Sequence, residues 1–210
     1  MNKKRVAIIG AGDLGQQIAH FISHSKDKES VGFFDDFCKE KSCCSIPVLG
    51  KIEDIQSKYV ENKFDSLIIA IGYAHLKFKD DLFLKLKTLI PFETIIHPSA
   101  IVDSSAKIME GSVIYPGCII DQRVTISPNT LLNLGVIISH DTKIGRSNFI
   151  GPGVVFSGFC ETSEHVFVGS NSTIKNSIRI TKDVKIGSGA NVVKNISAEG
   201  IYYGNPSMKS

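Results

Sequence analysis

From Ile96 onward every sixth residue of the chain is aliphatic or nearly so. The series runs Ile96, Val102, Ile108, Ile114, Ile120, Ile126, Leu132, Ile138, Ile144, Ile150, Phe156, Thr162, Val168, Ile174, Ile180, Ile186, Val192, and only Thr162 departs from it. Two residues before each member stands a second, mostly small class, from Ala100, Ala106, Ser112 and Cys118 through Thr142 and Asn148 to Val184 and Ala190. A helix has no six-residue period and a plain strand alternates every two, so neither holds this register. Three hexapeptides, each a short strand and a corner, instead make one coil of a triangular parallel β-prism, with the large residue inward and the small one where the corner crowds the backbone. The repeats occupy Ile96–Ser197, and at roughly 4.8 Å between stacked strands the prism is about 27 Å tall.

The residues before the repeats carry a different pattern. Arg5–Ile9 reads as a buried strand, Gly10–Gly15 as a glycine turn, and Gln16–His24 as a helix with Ile18, Phe21 and Ile22 on one face. A strand at Val31–Phe34, a segment Ser45–Gly50, a helix Glu53–Tyr59, a strand Ser66–Ile71 and a helix from Leu76 to about Leu89, ended by Pro91, complete it. Alternating strands and helices predict a small parallel α/β domain with about three parallel strands. The boundary is expected at Thr94, giving domains 1–94 and 95–210.

Composition narrows the function classes. With 42% hydrophobic and 21% charged residues the 210-residue chain is globular rather than disordered. A net charge of +3, dispersed along the sequence, lacks the footprint of a nucleic-acid binder. No long apolar stretch suggests a membrane span, and the run between Met1-Asn2-Lys3-Lys4-Arg5 and Gly10 is too short for a signal peptide, so a cytoplasmic location is expected. Cys38, Cys43, Cys44, Cys118 and Cys160 are odd in number and unevenly placed, as free thiols in a reducing compartment would be. Adjacent Cys43 and Cys44, with no His nearby, suit a zinc site poorly, and no metal is expected.

Three constellations carry chemistry. Gly10-x-Gly12-x-x-Gly15 follows a strand and opens a helix, with Asp35 and Asp36 at the end of the next strand for ribose hydroxyls; the domain is short for a dinucleotide, so a mononucleotide or nucleotide-sugar phosphate suits it better. Glycines serving only tight strand–helix packing are the alternative. His140, beside Asp141 and two residues past an inward Ile, stands near an outward corner as a proton acceptor for acyl transfer; a solvated surface His is the plainer reading. One coil on lies Gly158, whose bare N–H suits an oxyanion, or whose absent Cβ serves a corner of positive φ.

Taken together, the glycine-rich start, Phe33-Phe34-Asp35-Asp36, Ile46-Pro47-Val48-Leu49-Gly50, Ile69-Ala70-Ile71-Gly72, the hexapeptide prism, Ser139-His140-Asp141 and the tail Tyr203-Gly204-Asn205-Pro206-Ser207 resemble the sialic acid O-acetyltransferase and nucleotide-amino-sugar N-acetyltransferase family. The resemblance implies a Rossmann-like N-terminal domain, a left-handed β-helix, and a homotrimer with acetyl-CoA between neighbouring prisms. His140 would be the base for a sugar 4-amino group, Asp141 its orienting partner and Gly158 the amide near the thioester oxygen. It carries Gly12, Asp13, Leu14, Asp35, Asp36 and Gly72 onto the nucleotide-sugar site. Onto the acetyl-CoA groove it carries Phe149, Gly151, Gly169, Ser170, Gly187, Ser188, Asn205 and Pro206, although relatives often have a His where Phe149 stands and a Gly-rich run at Gly187-Ser188-Gly189. The expected activity is acetyl transfer from acetyl-CoA to a nucleotide-linked 4-amino-4,6-dideoxy sugar for surface glycans such as O-antigen. Sialic acid O-acetylation, an oxidoreductase fragment and a non-catalytic prism scaffold are the rival readings.

Overall fold

The computed structural model describes residues 3–209; Met1, Asn2 and Ser210 lie outside the described residues. The chain divides into two compact units, one ending at Glu93 and the other beginning at Thr94. No helix among the described residues is long and apolar enough to cross a membrane.

In the first unit, β1 (Lys4–Ile9), α1 (Asp13–Ser23), β2 (Lys28–Phe34), β3 (Ser42–Cys43), β4 (Ile46–Gly50), α2 (Ile55–Val60), β5 (Ser66–Ile69) and α3 (Leu76–Leu86) follow in order. The sheet order is β3-β4-β2-β1-β5. Four of these strands are parallel, one more than expected, and β3 adds an antiparallel edge. The sequence pattern missed β3 because only two residues pair there, around a turn whose central residues, Cys44 and Ser45, both have positive φ. The first helix begins at Asp13 rather than Gln16, which makes Gly12 its N-cap and brings Asp13 and Leu14 into its first turn. A 3₁₀ turn, Ile52–Asp54, takes the place of the start of the helix expected at Glu53, and α3 stops three residues short of Leu89. Ile9, Phe34, Phe64, Leu67, Ile69, Phe83 and Phe92 lie in the core under the sheet.

The second unit is a left-handed parallel β-helix. Seventeen two- or three-residue strands, β6 (Ile95–Ile96) to β22 (Asn191–Val192), recur with the predicted period and fall into three sheets. From β6 to β19 each pairs in parallel with the strand eighteen residues on, as Ile119 with Ile137 and Leu131 with Phe149. Two further strands, β23 (Gly200–Tyr203) and β24 (Met208–Lys209), continue one sheet beyond the repeats, so the tail is part of the ladder. The periodic residues from Ile114 to Val192 are buried. The first coil, with no coil beneath it, is less covered: Val102 and Ile108 are half-buried and Ile96 is 44% exposed.

Two rules fix the corners. From Gly111 to Gly189 every sixth residue is in the left-handed region, with φ between 55° and 73°. Gly, Asn, Asp and Ser hold most of these positions, as the steric cost of a Cβ there requires. The small inward class, in turn, is selected for more than size. Ser112, Thr130, Thr142 and Ser172 donate their hydroxyls to the carbonyl oxygens of residues 127, 145, 157 and 187, and the thiols of Cys118 and Cys160 do the same to residues 133 and 175.

Thr162 is the instructive irregularity. It points inward and is buried, and its Oγ1 accepts hydrogen bonds from the Gly145 N–H at 2.9 Å and the Asn148 side-chain amide at 2.6 Å. Thr162→Val would restore the aliphatic period yet leave two buried donors unpaired. It should destabilise the protein by about 1–3 kcal/mol, read as a lower urea midpoint at unchanged m-value; an unchanged or raised midpoint would show that the period alone matters.

Candidate functional site

The corner at Asp141 assembles a polar cluster from three successive coils. His140 Nδ1 lies 2.9 Å from Asp141 Oδ2, which fixes the ring with Nδ1–H donating to the carboxylate and leaves Nε2 as the acceptor. The side chain of His140 is 40% exposed and that of Asp141 22%, so the dyad sits at the surface with its carboxylate partly covered. The backbone N–H of His140 donates to Asp121 Oδ2 at 3.2 Å.

Gly158 lies one coil on, directly against the imidazole: a Cβ there would stand 2.7 Å from Cε1 and 2.8 Å from Nε2 of His140, and 3.2 Å from Asn176 Oδ1. Its φ is not positive, so the corner explanation for this glycine falls; the left-handed residue is its neighbour Phe159. The Gly158 carbonyl accepts from the Ser177 N–H, whereas its own N–H makes no hydrogen bond to the described residues. The ring of Phe159 meets His140 edge-on at 5.1 Å and 88°. Beside them, Asp141, Lys143, Phe159, Glu161, Ser177 and Arg179 line a cleft of about 430 Å³.

Arg123 belongs to this site and went unrecognised in the sequence. Its Nε and Nη2 grip Asp141 Oδ1 and Oδ2 at 2.7 and 2.9 Å, so one carboxylate is shared between a guanidinium and the imidazole. The Arg123 hydrogen bonds, and after them the one from His140, hold the Asp141 carboxyl far below the usual carboxylate range. A count of eighteen residues back from Asp141 would have found it, by the step that led forward from His140 to Gly158.

A second set gathers at the carboxyl ends of the parallel strands in the first unit, where open α/β sheets hold ligands. The three glycines of the motif separate here. Gly10 has φ +105°, and a Cβ would meet the Ala70 carbonyl oxygen at 2.7 Å; a Cβ on Gly15 would drive into the Gly10 carbonyl. Gly12 and Gly72, with φ near −70° and extended ψ, precede the helical turns after β1 and β5, and a Cβ on either would meet nothing within 4 Å. Packing therefore explains Gly10 and Gly15 and leaves Gly12 and Gly72 free for another purpose.

Asp35 corrects the expectation of two ribose-facing carboxylates. Its Oδ2 accepts from the Ala11 N–H at 2.8 Å, and its Oδ1 accepts from the Phe37 and Cys38 N–H groups at 2.8 and 2.9 Å. Burial pushes this carboxyl up, but the three donors outweigh it and hold it below the usual range. Asp36 takes the Ile52 N–H on Oδ1 at 2.8 Å and lines an open cleft of about 630 Å³ with Phe37, Lys51, Phe78 and Lys85. Neither Gly12 nor Gly72 lines that cleft.

Gly151, Gly169 and Gly187 stand in one column, eighteen residues apart. A Cβ on Gly151 would meet the Val168 carbonyl at 2.8 Å, one on Gly169 the Ser188 nitrogen at 2.5 Å, and one on Gly187 the Tyr203 Cβ at 3.0 Å, so close coil stacking already requires these glycines. Gly151 and Gly169 are buried in this stack, Gly187 and Ser170 are half-buried, and Ser188 is exposed. Phe149 is buried against Phe167, with ring centroids 6.0 Å apart. Asn205 and Pro206 lie in the turn between β23 and β24, where Asn205 Oδ1 accepts from Asn191 Nδ2 at 3.1 Å. The dyad and the glycine strip occupy different corners of the prism: Asp141 shares a corner column with Arg123 and Phe159, whereas Gly151 adjoins the column of Gly135 and Gly153.

Known proteins share this architecture. Residues 5–79 match the family model described as PglD N-terminal domain. No curated protein matches the chain. Among solved structures, the acetyltransferase domain of PglB from Neisseria gonorrhoeae superposes with a TM-score of 0.91 at 24% identity, over 99% of this chain and 100% of that one. PerB from Caulobacter crescentus, in complex with CoA and GDP-perosamine, gives 0.90 at 23% identity over 98% and 96%. WeeI from Acinetobacter baumannii gives 0.81 at 22% over 99% and 100%. The chain thus joins a first unit that matches the PglD N-terminal domain model to a hexapeptide β-helix, in the fold of these solved structures.

Proposed function

We propose that the protein is an acetyl-CoA-dependent N-acetyltransferase whose acceptor is the amino group of a nucleotide-linked amino sugar. The observation that carries this reading is the His140–Asp141 dyad with Nε2 turned toward the bare backbone of Gly158. Acyl transfer to an amine needs a group that takes a proton from nitrogen while a donor steadies the oxygen that gains charge. His140 Nε2 supplies the first and the unpaired Gly158 N–H the second. Asp141 holds the ring through Nδ1, and Arg123 holds Asp141. Among the described residues no Ser, Cys or Lys side chain bonds to His140, which favours direct transfer over a covalent acyl-enzyme. Acetyl-CoA, the donor of the acetyl group, fits the strip at Gly151, Ser170, Gly169, Gly187 and Ser188. In the first unit, Gly12, Asp13, Leu14 and Gly72 offer open helix starts for a pyrophosphate, and Asp36 a carboxylate for a ribose or base. The likeness to PerB, solved with CoA and GDP-perosamine, supports both ligand classes. Surface-glycan synthesis and a cytoplasmic location complete the reading.

A homotrimer belongs to the same proposal. The dyad and the glycine strip stand at different corners, so a complete site calls for one copy's corner to meet another's strip. One sheet of the prism also presents Ile101, at 66% exposed, Ile119, Ile137 and Val155 outward in a continuous aliphatic row. Sedimentation should give a trimer; a stable monomer with full activity would remove this part of the reading.

Activity is tested by following acetyl-CoA consumption with a panel of UDP-, dTDP- and GDP-linked 4-amino sugars, with free sialic acid as the O-acetylation arm. His140→Ala should lower kcat by about 10²- to 10⁴-fold with little change in KM for acetyl-CoA, and Asp141→Asn should do less harm. Arg123→Gln, which frees the Asp141 carboxylate that orients the ring, should lower kcat by less than His140→Ala does and leave KM for acetyl-CoA unchanged. Wild-type turnover in His140→Ala would instead favour the scaffold reading.

Two glycine variants separate packing from binding in the first unit. Gly12→Ala should keep or slightly raise the thermal midpoint and raise KM for the nucleotide sugar, because its Cβ enters open space where a ligand would lie. Gly15→Ala should fail to yield stable protein. Equal loss of stability in both variants would return Gly12 to a packing role.

A further inference from the structure

The three cysteines of the first unit stand together at the glycine turn, and nothing in the proposed catalysis uses them. Cys38 Sγ and Cys43 Sγ are 3.7 Å apart, both half-buried, and Cys44, exposed, donates its thiol to Gln16 Oε1 at 3.1 Å. Among the described residues no group of three or more His, Cys, Asp or Glu side chains is arranged to hold a metal ion.

Both backbone groups of Ala11, between Gly10 and Gly12, are tied to this cysteine segment. The Ala11 N–H donates to Asp35 Oδ2, while the other oxygen of that carboxylate holds the Cys38 N–H. The Ala11 carbonyl accepts from Gln16 Nε2 at 3.0 Å, and Gln16 Oε1 holds the Cys44 thiol. The turn at the open helix start is therefore braced on two sides by the segment that carries the thiols.

We propose that Cys38 and Cys43 form a reversible disulfide under peroxide and that its closure loosens the Ala11–Gly12 turn, weakening nucleotide binding there; the binding consequence rests on the function proposed above. The Cys38 thiolate attacks one oxygen of hydrogen peroxide, breaking the O–O bond and giving a sulfenic acid and, with one proton, water. The Cys43 sulfur then attacks the Cys38 sulfur, the S–S bond forms, and the S–O bond breaks with loss of a second water. In sum two thiols are oxidised and one peroxide is reduced to two waters. Burial pushes the Cys43 thiol up, so less of it is thiolate and Cys38 is the sulfur that meets peroxide first. The sulfurs must close from 3.7 Å to a bond of about 2.05 Å. Cys38 moves with them, and its N–H shares the carboxylate that holds Ala11.

The test treats the full chain with equimolar hydrogen peroxide and reads two things without any ligand. Peptide mapping by mass spectrometry should find Cys38 and Cys43 linked, with two hydrogens lost and restored by dithiothreitol. Hydrogen exchange at the Ala11 amide should quicken about tenfold, as when one ordinary hydrogen bond is lost. Cys44→Ser should keep both responses, and Cys43→Ser should abolish both, with Cys43→Ala as the substitute if the serine variant fails to fold. Oxidation confined to Cys44, or a Cys38–Cys43 linkage with unchanged Ala11 exchange, would overturn the proposal. Calorimetry with UDP, dTDP and GDP on the reduced and oxidised states should show a nucleotide losing affinity by about fivefold or more on oxidation. Failure of all three to bind the reduced protein would count against the proposed function alone, since linkage and exchange are read without them.

Discussion

The hydrogen-bonded step from one coil to the next, eighteen residues along the chain, is the constraint on which the second unit depends. Each step fixes what a residue touches: its neighbours above and below are known from the count, and their chemistry must agree. Inward residues stack aliphatic on aliphatic; Ser, Thr and Cys of the small class send a hydroxyl or thiol to a carbonyl of the coil above; and from Gly111 to Gly189 each corner turns through a left-handed residue. A ladder bond contributes about 0.5–1.5 kcal/mol net, and a left-handed non-glycine residue costs about 1–2 kcal/mol. The two are of similar size, so the ladder can carry an unsuitable corner residue here and there, but not at every coil.

Where the unsuitable residues fall is informative. Among the fourteen left-handed corners from Gly111 to Gly189, Arg123 and Phe159 are the side chains least suited to positive φ. Both lie in the column of Asp141, one coil to either side of it. Arg123 grips the carboxylate and Phe159 flanks the imidazole, so this column accepts local strain in exchange for side chains that glycine or asparagine would not provide. The inference runs from an observed backbone outlier to a role, the direction in which strain arguments are sound.

The prism was legible because its period is strict and its inward residues are apolar for one reason, the core. The left-handed corner position escaped notice because glycine, asparagine, aspartate and serine share it with arginine and phenylalanine, so no single residue class marks it. Arg123 was hidden for the same reason: its partner is adjacent only after one full coil. In the first unit, strands and helices emerged from apolar runs, whereas the two-residue β3 offered none. Asp35 and Asp36 are alike in sequence, and their separate fates depend on backbone donors that only the folded turn brings near: three N–H groups on Asp35, one on Asp36 beside an open cleft.

A glycine is evidence of a ligand only when the fold does not already require it. Gly10 and Gly15 of the motif, and Gly151 and Gly169 of the strip, are demanded by backbone that a Cβ would strike, so their presence says little about what binds. Gly12 and Gly72 are different: their dihedrals suit any residue, and the space beside them is open. Alanine there would favour the folded chain by reducing the freedom of the unfolded one, typically by about 0.4–1 kcal/mol. Keeping glycine forgoes that gain at two helix starts on neighbouring strands, and under the proposed function an anion closing on the N–H groups there would offset it.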